Sequence, residues 1–164
     1  MRYGTRTHAR KRWTRRGRRP VCKVKIGYEW GYLYTAICPY TGDVFACLLS
    51  HLDKSCFDVF LEQFKNHLTG KNIEAKQVLL IGDGAGAHQK ALVEKQGMKW
   101  VKLPTACPEL NPVERFFEEL RKYTSNIIFE DLTQIEDFLE KLVREYIYNP
   151  EAVSQLTLFS YLNT

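Results

Sequence analysis

The sequence predicts an α/β fold, a mixed sheet flanked by helices, and three observations carry that reading. A stretch rich in Tyr, Val and Ile is broken by "PYTGD", which is the pattern of antiparallel strands joined by a hairpin. Further on, "QVLLIGD" is a short, continuous apolar run of the kind expected for a strand buried on both faces. Apolar residues then recur at helical spacing in the last third of the chain. At 164 residues and 45% hydrophobic content, the chain is one domain's worth of sequence with enough apolar material for a core.

Taken in order, Val21–Tyr28 and the following "WGYLYTAICPYTGDVFACLLS" supply the first strands, with Gly42 and Asp43 in the turn. Phe57, Phe60, Leu61, Phe64 and Leu68 then mark a helix that Gly70 is placed to cap. After the "QVLLIGD" strand, "AHQKALVEKQG" predicts a short helix ending at Gly97, and "KWVKLP" a strand stopped by Pro104. In "NPVERFFEELRKY", Asn111 suits the N-cap and Pro112 the first helical position, with Val113, Phe116, Phe117 and Leu120 as the apolar stripe. A final helix carries Ile135, Phe138, Leu139, Leu142, Val143, Tyr146 and Ile147, with Thr133 and Glu136 as a capping box and Pro150 as its stop. The predicted order is ββαβαβαα. Three regions follow: a basic segment over residues 1–20, the α/β domain over 21–149, and a C-terminal tail over 150–164.

Charge is unevenly spread. The first 20 residues hold nine of the 24 Lys and Arg residues and no acid, leaving 15 basic against 19 acidic side chains in the remainder. Such a block points to a polyanion contact or a solvated arm. The five cysteines, Cys22, Cys38, Cys47, Cys56 and Cys107, are odd in number, widely spaced and without a C-x-x-C pair. They predict neither a zinc site nor a disulfide framework, and a reducing compartment fits them. No apolar run approaches the length of a membrane span, and the Arg-rich start lacks the apolar core of a signal peptide.

Two acids stand out. Asp83 ends the most apolar strand, at the edge where open α/β sheets bind ligands, and the glycines of "IGDGAGAH" leave the backbone around it open. It also suits a turn or a helix cap. A phosphate-cradling glycine loop is a weaker fit, because "GDGAG" has neither a following Lys-Ser/Thr nor a third glycine at fingerprint spacing. Glu114 stands in the first turn of the "NPVE" helix, where an acid also complements the helix dipole. Because that helix follows the next strand and a Pro-bounded loop, both acids are predicted at one edge of the sheet. Two carboxylates there suit a hard divalent cation of the kind used in phosphodiester chemistry, with nearby basic side chains holding the nucleic-acid backbone.

"LPTACPELNPVERFFEELRK" resembles the third-acid block of mariner-related DDE transposases of the bacterial insertion-sequence branch, through Leu103, Pro104, Pro108, Glu109, Leu110, Asn111, Pro112 and Glu114. "LIGDGAGAH" is similar to the second-acid block through Asp83, Ala85 and His88, with Gly84 in place of the usual Asn. The 30 residues between Asp83 and Glu114 suit the family's spacing, and Trp13, Gly17 and Pro20 resemble the stretch after its first strand. The resemblance implies an RNase H-like fold in which three carboxylates bind two Mg²⁺ or Mn²⁺ ions for strand nicking and strand transfer. Asp83 would be the second acid and Glu114 the third, each catalytic and metal-binding, with His88 and Asn111 beside them. Glu109 and Glu118 are acidic neighbours rather than ligands. Arg10, Lys11, Arg12, Arg15, Arg16, Arg18 and Arg19 would lie along DNA. Implied partners are DNA, as transposon ends and target, a second copy of the chain, and an upstream fragment of the same transposase. The implied location is the bacterial cytoplasm, at the nucleoid, with no membrane contact.

The family's first acid ends a strand that the pattern places before "RYGTRTHARKRW", and no carboxylate precedes Glu29. Glu29 and Asp43 fall in and after the second strand, the wrong places to substitute. The expectation is therefore a transposase catalytic domain whose first strand is largely missing, without the upstream helix-turn-helix region, inactive and aggregation-prone alone. Two other readings remain open at this level. One is a non-catalytic nucleic-acid-binding protein on a degenerate RNase H-like scaffold, and the other a cellular nuclease of the same superfamily.

Overall fold

A computed structural model of the chain describes residues 1–162. Strand β1 (Arg2–Gly4) pairs antiparallel with β2 (Trp30–Cys38), and β2 pairs antiparallel with β3 (Asp43–Leu49), from Tyr32↔Leu49 to Cys38↔Asp43. Helix α1 (Lys54–Gly70) follows, then β4 (Leu79–Gly82), α2 (Lys90–Lys95) and β5 (Lys99–Lys102). β4 and β5 run parallel, from Leu79↔Lys99 to Gly82↔Lys102. Three helices close the chain: α3 (Pro112–Thr124), α4 (Leu132–Ile147) and α5 (Pro150–Thr157).

Alternation along β2 sorts the core into two layers. Leu33 faces one side, with Tyr3 and Val44, and packs on Phe116, Phe117 and Leu120 of α3, Ile135, Leu139, Leu142 and Val143 of α4, and Val153 of α5. Tyr34 and Ala36 face the other side, against Phe57, Phe60, Leu61, Phe64 and Leu68 of α1, with Val93 and Met98. The result is helix, sheet, helix, a layering that buries both faces of the long strands. Tyr34 and Phe60 meet at 5.6 Å between ring centroids. The Tyr34 hydroxyl donates to the His51 carbonyl at 3.0 Å, and burial pushes its phenol pKa up to about 12.

The hairpin turn is where the sequence places it. Gly42 adopts φ +69°, and a Cβ there would meet the Pro150 carbonyl oxygen at 1.8 Å, so both conformation and space demand glycine. Its N–H donates to the Cys38 carbonyl at 2.8 Å, closing the loop.

Several expectations change. Residues 21–28 form no strand; they are the return limb of an arm that leaves β1 and rejoins at β2, tied by Thr7 N–H to the Lys25 carbonyl and Thr5 N–H to the Glu29 carbonyl. The segment 1–20 is therefore no free tail, and its first residues are themselves the strand β1. β4 is not buried on both faces: Leu79 is 52% and Ile81 47% exposed. β4 has a ladder partner on one side, β5, and the helices of the α3–α5 layer pack on β1–β3 rather than over it. Among the described residues the two sheets share no strand pair, in line with a short first strand.

Caps also moved. Gly70 is the last helical residue of α1, and Lys71 caps it by donating to the Leu68 and Thr69 carbonyls, while Asn72 takes the left-handed turn at φ 58°. Asp131, not Thr133, caps α4, accepting the Gln134 N–H at 2.8 Å. Asparagine and aspartate compete well for both roles, which is why the composition alone misassigned them. The predicted tail from residue 150 contains α5, started by Pro150 and capped by Asn149.

Asp43 joins the hairpin to the end of α1. Its carboxylate accepts from His67 Nε2 at 3.2 Å and pairs with Lys71 Nζ. Burial opposes its ionisation, but the Lys71 and His67 contacts outweigh that and hold its pKa below the usual carboxylate value. A carboxylate with a depressed folded pKa stabilises above its unfolded pKa, and that contribution is lost as pH falls through the folded value. Asp43→Asn should therefore cost about 1 kcal/mol at neutral pH. The gap between variant and wild type should close as pH drops below about 3.9, read as denaturant midpoints across a pH series.

Candidate active site

β4 and β5 end side by side, and everything of chemical interest follows from what leaves them. Asp83 is the residue after β4. Leu103 leaves β5 with its N–H on the Gly82 carbonyl at 2.8 Å. From there the chain turns through Pro104–Cys107, where Ala106 adopts φ 61°, then a 3-10 turn at Pro108–Leu110, and enters α3 at Asn111. The Asn111 side chain accepts the Val113 N–H at 3.3 Å, and its carbonyl accepts the Glu114 N–H at 3.0 Å. That cap sets the first turn of α3 and with it the Glu114 backbone.

The path closes a cleft of about 300 Å³ lined by Asp83 and Glu114 together, with Gly84, Lys102, Cys107 and Asn111 among its other walls. Sequence reasoning placed the two acids at one edge, and the structure brings them into one cavity. Asp83 Oδ1 receives His88 Nδ1 at 2.5 Å and the Ala85 N–H at 3.2 Å. Both partners use the same oxygen, so Oδ2 remains for a ligand. His88 is in turn held against Phe57, with ring centroids 4.8 Å apart, and edge-on to Trp100 at 6.5 Å. It thereby ties Asp83 to the α1 side of the core. Glu114 Oε2 lies 3.8 Å from Arg121, one long ion pair at a half-exposed position.

A third chain end reaches the same place. The Met1 ammonium donates to the Leu33 carbonyl at 2.6 Å. Burial pushes its pKa down to about 5, Glu114 and Asp83 pull it back up, and Arg121 adds to the lowering. The cleft collects the end of β4, the end of β5 and the first turn of α3. Hard oxygen donors of this kind fit Mg²⁺ or Mn²⁺ and not a thiophilic ion.

The basic residues divide. Arg10, Lys11 and Arg12 line a separate open groove of about 680 Å³ with Lys122, Ser125 and Asn126. Asn126 organises it: it adopts φ 61°, donates its N–H to the His8 carbonyl at 2.9 Å, and accepts the Arg10 N–H on its side chain at 3.0 Å. Arg15, Arg16, Arg18 and Arg19 lie outside that groove, on the exposed outer part of the arm. There the chain turns at Gly17, with Arg18 N–H on the Arg15 carbonyl. Trp13 is fully exposed. Lys122 and Lys102 are site-lining cations that the sequence reading missed. The signal for Lys102 was available: it stands two residues after Trp100, and glycines 82 and 84 are spaced to match.

Elsewhere, the ligand-type atoms of His51, Asp53 and Cys56 lie within 4.8 Å of one another. Asp53 is accounted for as the N-cap of α1, accepting the Cys56 N–H at 2.8 Å, and the positive end of the helix opposes a cation there. Among the described residues no helix is long and apolar enough to cross a membrane.

The family model of the DDE superfamily endonucleases matches residues 1–136. The chain belongs to that family. A relative from Sinorhizobium fredii (strain NBRC 101917 / NGR234), the uncharacterized protein y4pE/y4sA, is 30% identical over 109 residues, covering 65% of this chain and 77% of the relative. The fold is similar to that of the Mos1 transposase in its paired-end complex with left transposon end. That match has a TM-score of 0.65 at 16% identity, over 94% of this chain and 50% of the transposase. A Mos1 mariner paired end complex with Mn gives the same TM-score at 13% identity, over 91% of this chain and 48% of that one. The DDE chain thus spans about half the length of those transposases, and it shares their RNase H-like fold.

The cap that positions Glu114 is directly testable. Asn111→Ala should destabilise the protein by about 1 kcal/mol, whereas Asn111→Asp, which keeps a capping oxygen, should restore most of the loss. Equilibrium denaturation of the two variants measures the difference.

Proposed function

We propose that the chain is part of the catalytic domain of a DDE transposase, a family acting on DNA phosphodiester bonds, with Asp83 and Glu114 as its second and third metal-binding acids. Catalysis requires a first acid that these residues do not supply. The observation that carries this reading is the convergence of those two carboxylates, one from the end of β4 and one from the start of α3, in a single cleft. A divalent ion, Mg²⁺ or Mn²⁺, would supply activation of the attacking oxygen and charge neutralisation at the leaving oxygen.

This chain's residues would do the rest. Asp83 offers Oδ2 while His88 holds Oδ1, so the carboxylate is oriented before any ligand arrives. Glu114 is oriented through the Asn111-capped turn. Arg10, Lys11 and Arg12, with Lys122, would grip the phosphate backbone along the neighbouring groove, and the outer arginines would extend that contact. The substrates in this reading are transposon ends and target DNA, and assembly on DNA as a homodimer goes with it. The place of action is the nucleoid of a bacterial cytoplasm. The Mos1 complexes, which hold transposon ends, support the DNA partner by likeness of fold.

A second reading, a non-catalytic nucleic-acid-binding protein, draws on the basic groove, which is larger than the acid-lined cleft. The two separate in an experiment that does not need turnover. Fe²⁺ loaded in place of Mg²⁺, with ascorbate and a bound end-labelled duplex, generates hydroxyl radicals at the cation site. The transposase reading expects scission confined to a few adjacent nucleotides, abolished by Asp83→Asn and by Glu114→Gln while duplex binding persists. Scattered cutting, or focused cutting that survives both substitutions, favours the binding protein.

A further inference from the structure

Two glycines beside the cleft form a trough that two β5 side chains fill. A Cβ on Gly82 would meet the Trp100 ring at 2.4 Å, and one on Gly84 would meet Lys102 Cε at 2.3 Å and Nζ at 2.9 Å. Trp100 and Lys102 are two apart on β5 and so share a face; Gly82 ends β4 and Gly84 lies in the loop after it. Trp100 packs with the α1-side core. Lys102 lies one step nearer the strand's end, where core gives way to cleft, and it lines that cleft with Asp83 and Glu114. Its apolar stem is laid along Gly84 and its ammonium is carried out over the loop that follows Asp83.

The charges around it decide what that ammonium does. A DNA phosphate entering a cavity with two carboxylates is repelled by both, and a cation in the cavity wall opposes that repulsion alongside any metal. Arg121 is engaged with Glu114 at 3.8 Å. The Met1 amine is engaged with the Leu33 carbonyl, and burial drives it toward its neutral form. That leaves Lys102 as a cleft cation with no ion-pair partner among the described residues.

We propose that Lys102 is a phosphate-binding residue of the cleft, holding a non-bridging oxygen of a DNA phosphate beside Asp83 and Glu114, and that glycine at position 84 is required to let it lie there. The proposal rests on the transposase reading and adds a residue to it. Glycine at position 84 then has a physical reason: a side chain with a Cβ there would displace the lysine. The ammonium is a point charge with rotatable donors, suited to one oxygen rather than to a planar two-point grip.

The test is duplex DNA binding measured across a salt series, with wild type, Lys102→Gln, Gly84→Ala and, as a control on the same strand, Lys99→Gln. Removing one phosphate contact should flatten the slope of log affinity against log salt by about 0.9, and Lys102→Gln should show that change. Gly84→Ala should lower affinity in the same direction with its thermal midpoint unmoved. Its new Cβ meets only the far end of a flexible side chain, which swings away at little cost to the fold. Lys99→Gln should match wild type. Wild type that binds no duplex would bring down the transposase reading itself. Wild type that binds, with a slope unaltered by Lys102→Gln, overturns the role of the lysine alone. Normal affinity in Gly84→Ala beside a weakened Lys102→Gln overturns the part assigned to the glycine.

Discussion

The parallel pairing of β4 with β5, closed at Gly82↔Lys102, is the constraint on which the site depends. Parallel strands point the same way, so the chain leaving each emerges at one edge. Asp83 follows β4 directly, and the Leu103 N–H extends the ladder by one bond to the Gly82 carbonyl before the loop to α3 begins. Had the two strands been antiparallel, Asp83 and the Glu114 helix would stand at opposite edges. Every later feature refines this placement: the His88 contact on Asp83, the Asn111 cap beneath Glu114, and the glycine trough that guides Lys102.

Rigidity at the site is borrowed from the two cores. His88 rests on Phe57 of α1, so Asp83 is referenced to one helical layer. Glu114 stands two and three residues before Phe116 and Phe117 on α3, which are buried in the other layer. The two acids are therefore held by different core layers and meet at the end of the β4–β5 pair. Tyr3 of β1 joins that second layer through its hydroxyl, which donates to Glu136 at 2.7 Å; burial, reinforced by Glu136, raises its pKa.

Much of this was legible in the sequence because it is local. Asn111-Pro112 declared the start of α3, the "PYTGD" turn declared the hairpin, and the helical spacing of Phe57 to Leu68 declared α1. The placement of Asp83 and Glu114 at one edge was legible because each sits beside a strong structural signal, an apolar strand in one case and a capped helix in the other. What failed was tertiary. The apolar run at β4 reads as fully buried, yet Leu79 and Ile81 are half exposed, because burial depends on which layers cover a strand. Residues 21–28 read as a strand, yet they are the return limb of the arm, held by scattered bonds to Thr5, Thr7 and Asn126 with no periodic pattern. Lys102 escaped notice because its meaning depends on Gly84, in the loop after β4, lying against its side chain.

The central claim is that Asp83 and Glu114 form one cation site. Titration of the protein with Mn²⁺, followed by loss of the free-ion EPR signal, tests it most directly in wild type, Asp83→Asn and Glu114→Gln. The account predicts a site in wild type that both substitutions weaken by at least about tenfold, as expected when a first ligand or its supporting shell is removed. Equal Mn²⁺ binding in wild type and either variant would contradict it.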